Sequence, residues 1–293
     1  MKKKKIEHWL KIEIPTYDDM VDIAESNRFY MENNVQYLIA PLIYSLEDDT
    51  KDIAPITFIL VRFRLITVRY SQPKAIDLFI SRFTKAGNGF INSQSIGISI
   101  LLGLIEAATD RLADFLARIS RHIEKAARRI FHRDKSAPPM STSYFRKMLT
   151  RIGRVGTFLS MVRESIAGIS RLLVYADSYG KKLLPKKDVK AAIESLERDT
   201  QSLEHYTDFL STKMTFLLDT VVDMISTEQN AIIKIFSVAA VGFMPPTLIA
   251  SIYGMNFQFM PELDEKWGYP IALFIMIVSS ILPLAYFRKK GWL

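Results

Sequence analysis

The sequence predicts an α+β protein, a small α/β layer followed by long helices, joined at its C-terminal end to a two-helix transmembrane hairpin. Three observations predict it. Residues 235–261 and 267–287 hold no charged side chain, and each is long enough to cross a bilayer core, which takes about 20 apolar residues of helix. Runs of β-branched and aromatic residues at 37–46 and 56–70 have the composition of strands. From residue 93 onward, apolar residues recur at helical spacing. A hydrophobic content of 49% over 293 residues is high for a soluble domain and low for a chain lying mostly in lipid, which suits a soluble part carrying a few spans.

The opening "MKKKKIEHWLKIEIP" is basic but lacks the apolar stretch of a signal peptide, so membrane insertion is expected from an internal segment and the lysine run reads as a solvated terminus. "TYDDMVDIAESNRF" (16–29) reads as a helix, with Pro15 as its start signal. "YLIAPLIYSL" (37–46) reads as a strand, and "ITFILVRFRLITVRY" (56–70) as a hairpin broken near residues 62–64. These elements make residues 1–92 a small cytoplasmic α/β domain. Residues 93–187 are expected to form antiparallel helices. The first has its apolar stripe at Ile105, Leu112, Leu116, Ile119 and Ile123 and is broken by "HRDKSAPPM"; the second covers about 142–180, and "YGKKLLPKK" turns into a third. From Asp188 no Gly or Pro occurs before Gly242, a stretch of roughly 80 Å as α-helix. A single helix over 188–252 therefore starts in the cytoplasm and becomes the first span. A loop (253–266), the second span (267–287) and a basic tail (288–293) complete the chain.

Orientation follows from the charges beside the spans. Lys234 precedes the first, and Arg288, Lys289 and Lys290 follow the second, whereas the loop between them carries Glu262, Asp264 and Glu265 against Lys266. The excess of Lys and Arg marks the cytoplasmic side, so both termini are expected in the cytoplasm and the acidic loop outside. Trp267, Tyr269, Tyr286 and Trp292 stand where interfacial aromatics belong. The net charge of +8 points to an anionic partner. Aromatics do not interleave with the basic residues as stacking platforms would, so lipid is expected rather than nucleic acid, and the basic stretch 121–135 reads as a solvated helix face. With no cysteine, disulfides, thiolate metal sites and cysteine nucleophiles are excluded. Phosphate loops, nucleophile elbows and HExxH sites are missing, and His8, His122, His132 and His205 are scattered. These features point away from an enzyme.

Counting along the long helix in alternating threes and fours from Asn230 gives Ile233, Ser237, Ala240, Met244, Thr247 and Ser251. That is a 3.5-residue repeat, the period of helices supercoiled around a common axis. Its members are mostly small or polar, while much of the remaining surface is Ile, Phe, Val and Leu. Polar groups in a membrane face a bundle interior or water, but small residues also make close helix seams. Pore and packing seam both stay open on this pattern alone, and a pore demands an oligomer. The same count backwards reaches Ser226, Asp223, Asp219, Phe216 and Thr212. Around an axis, Asp219 and Asp223 become two stacked acidic rings that attract cations; on an isolated helix they are a solvated patch. Ile233, flanked by Phe236, gives an apolar collar suited to gating by dewetting.

The segments "EQN" (228–230), "IIKIFSV" (232–238), "PPTLIASIYGMNF" (245–257), "MPEL" (260–263), "WGYP" (267–270) and "YFRKKGWL" (286–293) together resemble the CorA family of magnesium channels. The family signature is Tyr-Gly-Met-Asn after the first of two spans, followed by Met-Pro-Glu-Leu. "RDTQSL" (198–203) resembles the family's long helix. The resemblance implies a homopentameric funnel in the plasma (inner) membrane, with five first spans lining a pore and the second spans outside. It implies an outer mouth at Gly254, Met255 and Asn256, with Tyr253 packing to hold the loop. Asn256 amides and Gly254 carbonyls would bind hydrated Mg²⁺ through its waters, and Glu262, Asp264 and Glu265 would concentrate cations above them.

Within that frame, Asn230, Thr247 and Asn256 are the expected ion stations, and the collar at Ile233 and Phe236 the gate. Mg²⁺ is both the transported and the regulatory ion, with Co²⁺ and Ni²⁺ as further cargo and no other cofactor expected. Bound cytoplasmic Mg²⁺ closes members of this family, and they open asymmetrically as it leaves. Family members usually carry more residues ahead of the first strand, so the N-terminal domain is expected to be abbreviated, and no residue pair is assigned to the family's intersubunit regulatory sites. Two alternatives stand beside this reading. A zinc or other divalent-cation transporter of the same architecture, of the ZntB kind, keeps Gly-Met-Asn but lacks the Met-Pro-Glu-Leu present here. A membrane-anchored coiled-coil scaffold that conducts nothing would be better served by a Leu and Ile seam.

Overall fold

A computed structural model describes residues 2–22, 27–46, 50–61, 63–83, 96–132, 141–183, 187–255, 260–261 and 265–291. Its elements are helices α1 (Lys2–Leu10) and α2 (Tyr17–Asp22), strands β1 (Phe29–Glu32), β2 (Val35–Ser45), β3 (Lys51–Val61) and β4 (Arg64–Val68), and helices α3 (Lys74–Phe83), α4 (Ile96–Phe131), α5 (Thr142–Leu183), α6 (Lys187–Tyr253) and α7 (Gly268–Lys289). They form two compact units, Met1–Lys135 with Arg146–Leu218, and Ser136–Phe145 with Asp219–Leu293.

The first unit is built on an antiparallel sheet in the order β1-β2-β3-β4. Asn33 and Asn34 join β1 to β2 with φ of 49° and 61°. A two-residue hairpin turn with positive φ at both positions matches strand twist, and Asn tolerates that region better than most residues. The register runs Val35↔Val61 to Ser45↔Lys51 in β2–β3 and Val61↔Arg64 to Thr57↔Val68 in β3–β4. Every residue of β2 from Val35 to Ile43 is buried, which explains its near-continuous apolar sequence. Ile12 and Ile14 pack on Val35, Tyr37 and Ile59, and the Tyr37 hydroxyl donates to the Glu13 carbonyl at 2.9 Å.

Several expectations are corrected here. The helix expected over 16–29 is α2 among the described residues, and Phe29 belongs to β1; residues 23–26 lie outside the described set. Thr16 and Asp19 cap α2 reciprocally, Thr16 N–H donating to Asp19 Oδ2 at 2.8 Å and Asp19 N–H to Thr16 Oγ1 at 3.3 Å, a capping box with Asp in place of Glu. Beyond the helix, the β-favouring Phe29, Tyr30 and Met31 pair with β2 through the Asn-Asn turn. The opening lysines are helical in α1, with Lys4 and Lys5 exposed as a solvated segment should be. Trp9 of that helix lies under the Arg64 guanidinium, 4.6 Å from the ring centre. The 56–70 hairpin forms as β3 and β4, and Arg62 lies outside the described residues. Helix α3 has no counterpart among the expected elements; it starts just after Pro73, whose carbonyl accepts from Ile76 N–H at 3.0 Å.

Helices α4 and α5 supply most of the remaining core, with Ile193, Leu196 and Leu210 of α6 added to it. Leu101, Ile105, Leu112, Leu116, Ile119 and Ile123 are buried on α4, and Val162, Ile166, Ile169, Leu172 and Leu173 on α5. Phe115 and Phe158 meet edge to face at 5.2 Å. Helix α5 docks on β2 at Pro41: buried Ser165 donates to the Pro41 carbonyl at 2.8 Å, and Gly168 lies against the Pro41 ring. A Cβ at Gly168 would collide with Pro41 Cδ and stand 2.9 Å from Cγ. Neither a proline ring on an inner strand nor the helix backbone can yield by an ångström, so Gly168→Ala is expected to cost about 1–3 kcal/mol, as overpacking does. Thermal unfolding of the variant should show a Tm several degrees lower; an unchanged Tm would mean that the α5–β2 seat adapts.

Candidate functional site

All the positions marked by the 3.5-residue count lie on α6, which is continuous from Lys187 to Tyr253. In the second unit the helix is covered along a narrow strip only, and over residues 229–237 it is exposed all round. Val221, Val238 and Gly242 are buried, and Pro245, Pro246, Ile249 and Tyr253 are half-buried below them. At Gly242 the neighbour is Leu284 of α7, whose carbons lie 3.5–3.8 Å from where a Cβ would be. The opposite side is uncovered. Asp219, Asp223, Asn230, Ile233, Ser237, Ala240, Met244, Thr247 and Ser251 are all exposed, as is Phe236 beside them. At about 100° per residue, Ala240 lies about 160° from both Val238 and Gly242. The small and polar stripe thus faces away from α7, the span that covers α6 within one chain.

Two prolines shape the middle of this segment. Pro245 and Pro246 lie inside the helix and have no N–H, so the carbonyls of Val241 and Gly242 lose their usual i+4 donors. Thr247 sits directly after them, and its hydroxyl donates to the Phe243 carbonyl at 2.8 Å. With its proton committed there, Thr247 Oγ1 presents only lone pairs outward, an acceptor for the waters of a cation. Freed carbonyls are tolerated at membrane depth only against protein or water. The double proline is plain in the sequence as a source of such carbonyls, and the count of stripe residues alone passes over it.

At the end of α6 the turn tightens. Gly254 N–H donates to the Ala250 carbonyl at 3.0 Å, and Met255 N–H to Ile252 at 3.2 Å. A Cβ at Gly254 would approach the Ala250 oxygen to 3.2 Å, closer than nine in ten real contacts, so the glycine lets the chain leave the helix without displacing that carbonyl. Tyr253 is half-buried and Met255 exposed. Asn256, Glu262 and Asp264 lie outside the described residues. Glu265 is exposed, and its carbonyl accepts from Gly268 N–H at 3.0 Å as α7 begins. Helix α7 ends at Gly291, with φ of 71°, the left-handed stop that glycine allows. Arg288 and Lys289 occupy its last turn, where cations complement the helix dipole.

Among the described residues no group of three or more His, Asp or Glu side chains is placed to hold a metal ion. Asp219 and Asp223 are only two acids one turn apart. Two helices are long and apolar enough to cross a membrane, and only 11% and 6% of their apolar stretches are buried. A core helix of a soluble protein would be mostly buried, so these surfaces need lipid or further protein.

The chain matches the family model described as CorA-like Mg²⁺ transporter protein over residues 3–289. It is 34% identical over 280 residues to a protein from Pasteurella multocida named magnesium transport protein CorA, spanning 96% of this chain and 84% of that protein. Among solved structures, the complete structure of the CorA magnesium transporter from Methanocaldococcus jannaschii superposes with a TM-score of 0.76 at 19% identity, covering 99% of this chain and 87% of that one. The cytoplasmic domain of ZntB from Vibrio parahaemolyticus gives 0.55 at 14% identity, covering 76% and 84%. These two structural likenesses show the fold.

Proposed function

The chain belongs to the family of CorA-like Mg²⁺ transporter proteins, and on that premise we propose that it is a Mg²⁺ channel of the plasma membrane, a homopentamer in which five copies of α6 surround the pore. One observation carries the proposal: the small and polar side of α6, from Asn230 to Ser251, is uncovered, and from Ala240 to Ser251 it faces away from the α7 contact at Gly242. One span per chain encloses nothing, so a polar stripe at membrane depth asks for copies of itself around water. Both termini lie in the cytoplasm in this arrangement, and the acidic loop outside.

Mg²⁺ gives up its waters reluctantly and prefers near-ideal octahedral geometry. The mouth is therefore read as a ring of neutral oxygens, Gly254 carbonyls and Asn256 amides, that hydrogen-bonds the hydrated ion without stripping it. A carboxylate ring there would hold a divalent ion too firmly for conduction, which needs weak binding. Glu262, Asp264 and Glu265 raise the local cation concentration above it. Thr247 and Asn230 are further stations for the hydrated ion, and the collar at Ile233 and Phe236 is the gate. The membrane potential drives influx, worth about 4–5 kcal/mol per divalent ion at 100 mV. Co²⁺ and Ni²⁺ travel the same route in hydrated form.

The test is Mg²⁺ uptake into dye-loaded proteoliposomes under an inside-negative potential, with Zn²⁺ in parallel. Wild type is expected to take up Mg²⁺. Asn256→Ala, which deletes five acceptors each worth about 1 kcal/mol as hydrogen-bond partners, is expected to lower the rate at least about tenfold. No uptake from an intact oligomer whose inner side has been stripped of Mg²⁺ would overturn the reading in favour of a scaffold, and preference for Zn²⁺ would overturn the assignment of the ion.

A further inference from the structure

We propose that the cavity between β1, β2 and α5 in the first unit is a binding site for a phosphate-class oxyanion. The cavity has a volume of about 190 Å³, below the 300–1,000 Å³ usual for drug-sized ligands and suited to a small anion. Three arginines line it, Arg28 ahead of β1 and Arg163 and Arg171 on α5, with Glu164 as the one acid among the described lining residues. The arms rise from a single helix face. Arg163, Ala167 and Arg171 follow one another at four-residue spacing, so the two arginines stand roughly 12 Å apart along the axis with a small residue between them. Ala167 and Gly168 leave the hollow; Phe29 and buried Ile39 wall it.

Arg28 is the telling member. Its Nε is buried and has no hydrogen-bond partner, which is costly for a charged donor. The cavity opens beside this arginine, and a guanidinium fork matches the spaced oxygens of phosphate or carboxylate. Arg163 is held in place from outside by Asp208, whose Oδ1 lies 2.6 Å from Nη2; a guanidinium carries five donors, so this pair orients the group and leaves N–H bonds for a ligand. Glu164 and the Asp208 that pairs with Arg163 oppose the three arginines and leave the site net positive. The tetrahedral oxygens of a phosphate can meet guanidinium groups from several directions, where a carboxylate offers two oxygens in one plane, which favours phosphate, diphosphate or the terminal phosphates of a nucleotide. None of these residues belongs to the ion pathway, so the site stands or falls apart from the channel reading.

Isothermal titration of the full-length protein in detergent, free of divalent ions, with inorganic phosphate, pyrophosphate and ATP tests the proposal. Saturable binding at one site per chain is expected, pyrophosphate binding more tightly than phosphate. Arg28→Gln should weaken it about tenfold or more, the scale of one charge-assisted hydrogen bond. Glu164→Gln, an exposed change that removes a repelling charge from the lining, should tighten it with no change in Tm. ATP binding as well as pyrophosphate assigns a nucleotide as the source, and ATP exclusion assigns a free oxyanion. The proposal is overturned by the absence of saturable binding of any phosphate, or by affinity unaltered in Glu164→Gln, which decides the matter even if Arg28→Gln does not fold.

Discussion

Thr247→Lys is expected to abolish Mg²⁺ uptake while leaving the oligomer assembled. In a five-fold arrangement the substitution places five positive charges around the path of a divalent ion. At about 7 Å from the axis their summed repulsion is about 6 kcal/mol even at the dielectric constant of water, and salt reduces but does not remove it at that range. Unscreened, that is a rate loss of more than about a thousandfold, and about 2.5 kcal/mol, or roughly fiftyfold, survives at a Debye length of about 8 Å. Thr247→Ser keeps the acceptor oxygen and should conduct. Thr247→Val keeps the shape, removes the oxygen that in wild type turns its lone pairs outward from the Phe243 carbonyl, and should fall between the two. Uptake in proteoliposomes and the mass of the detergent-solubilised oligomer together check the series. Normal uptake by an assembled Thr247→Lys oligomer would show that the stripe is a packing seam.

What the sequence reveals of this protein follows from where its signals are local. The spans are legible because charge is absent over two long stretches, and α6 is legible because nothing between Asp188 and Gly242 breaks a helix. The stripe from Asn230 to Ser251 needs only counting. Its meaning depends on what covers the other side, and that is a tertiary fact: Gly242 seats Leu284, a pairing across some forty residues that no periodicity announces. Strand β1 is four residues long, too short for alternation to speak, although Asn33-Asn34 is a usable hairpin signal. Helix α2 shows its start in Thr16 and Asp19 but not its end. The lysines of α1 are poor evidence of order, and packing supplies what they lack, with Trp9 under Arg64. The arginine cavity is the least legible feature, since Arg28 is more than 130 residues from Arg163 and Arg171 and only the docking of α5 on β2 brings them together.

Replacing both Asp219 and Asp223 by Asn is expected to free uptake from control by cytoplasmic Mg²⁺. Each carboxylate is exposed and sits one helical turn from the other, and in one chain they are an unremarkable pair. In five copies they become ten carboxylates in two stacked rings. Neighbouring charges about 8 Å apart repel by about 0.5 kcal/mol in water. Over both rings this sums to about 5 kcal/mol unscreened, and to about 2 kcal/mol at physiological salt, where the Debye length is about 8 Å. That is enough to shift an equilibrium between closed and open bundles about thirtyfold. On the proposed mechanism, bound Mg²⁺ would cancel the repulsion and permit closure, and its departure would restore the repulsion and loosen the helices. The Asn pair removes both the binding charge and the spring, so uptake into Mg²⁺-free vesicles should fall and its response to internal Mg²⁺ should flatten. The mechanism also demands a response to simple salt. Raising internal KCl without Mg²⁺ screens the same charges, so it should lower uptake in wild type and leave the Asn pair unmoved. Inhibition by Mg²⁺ that persists unchanged in the double variant would place the sensor elsewhere in the chain.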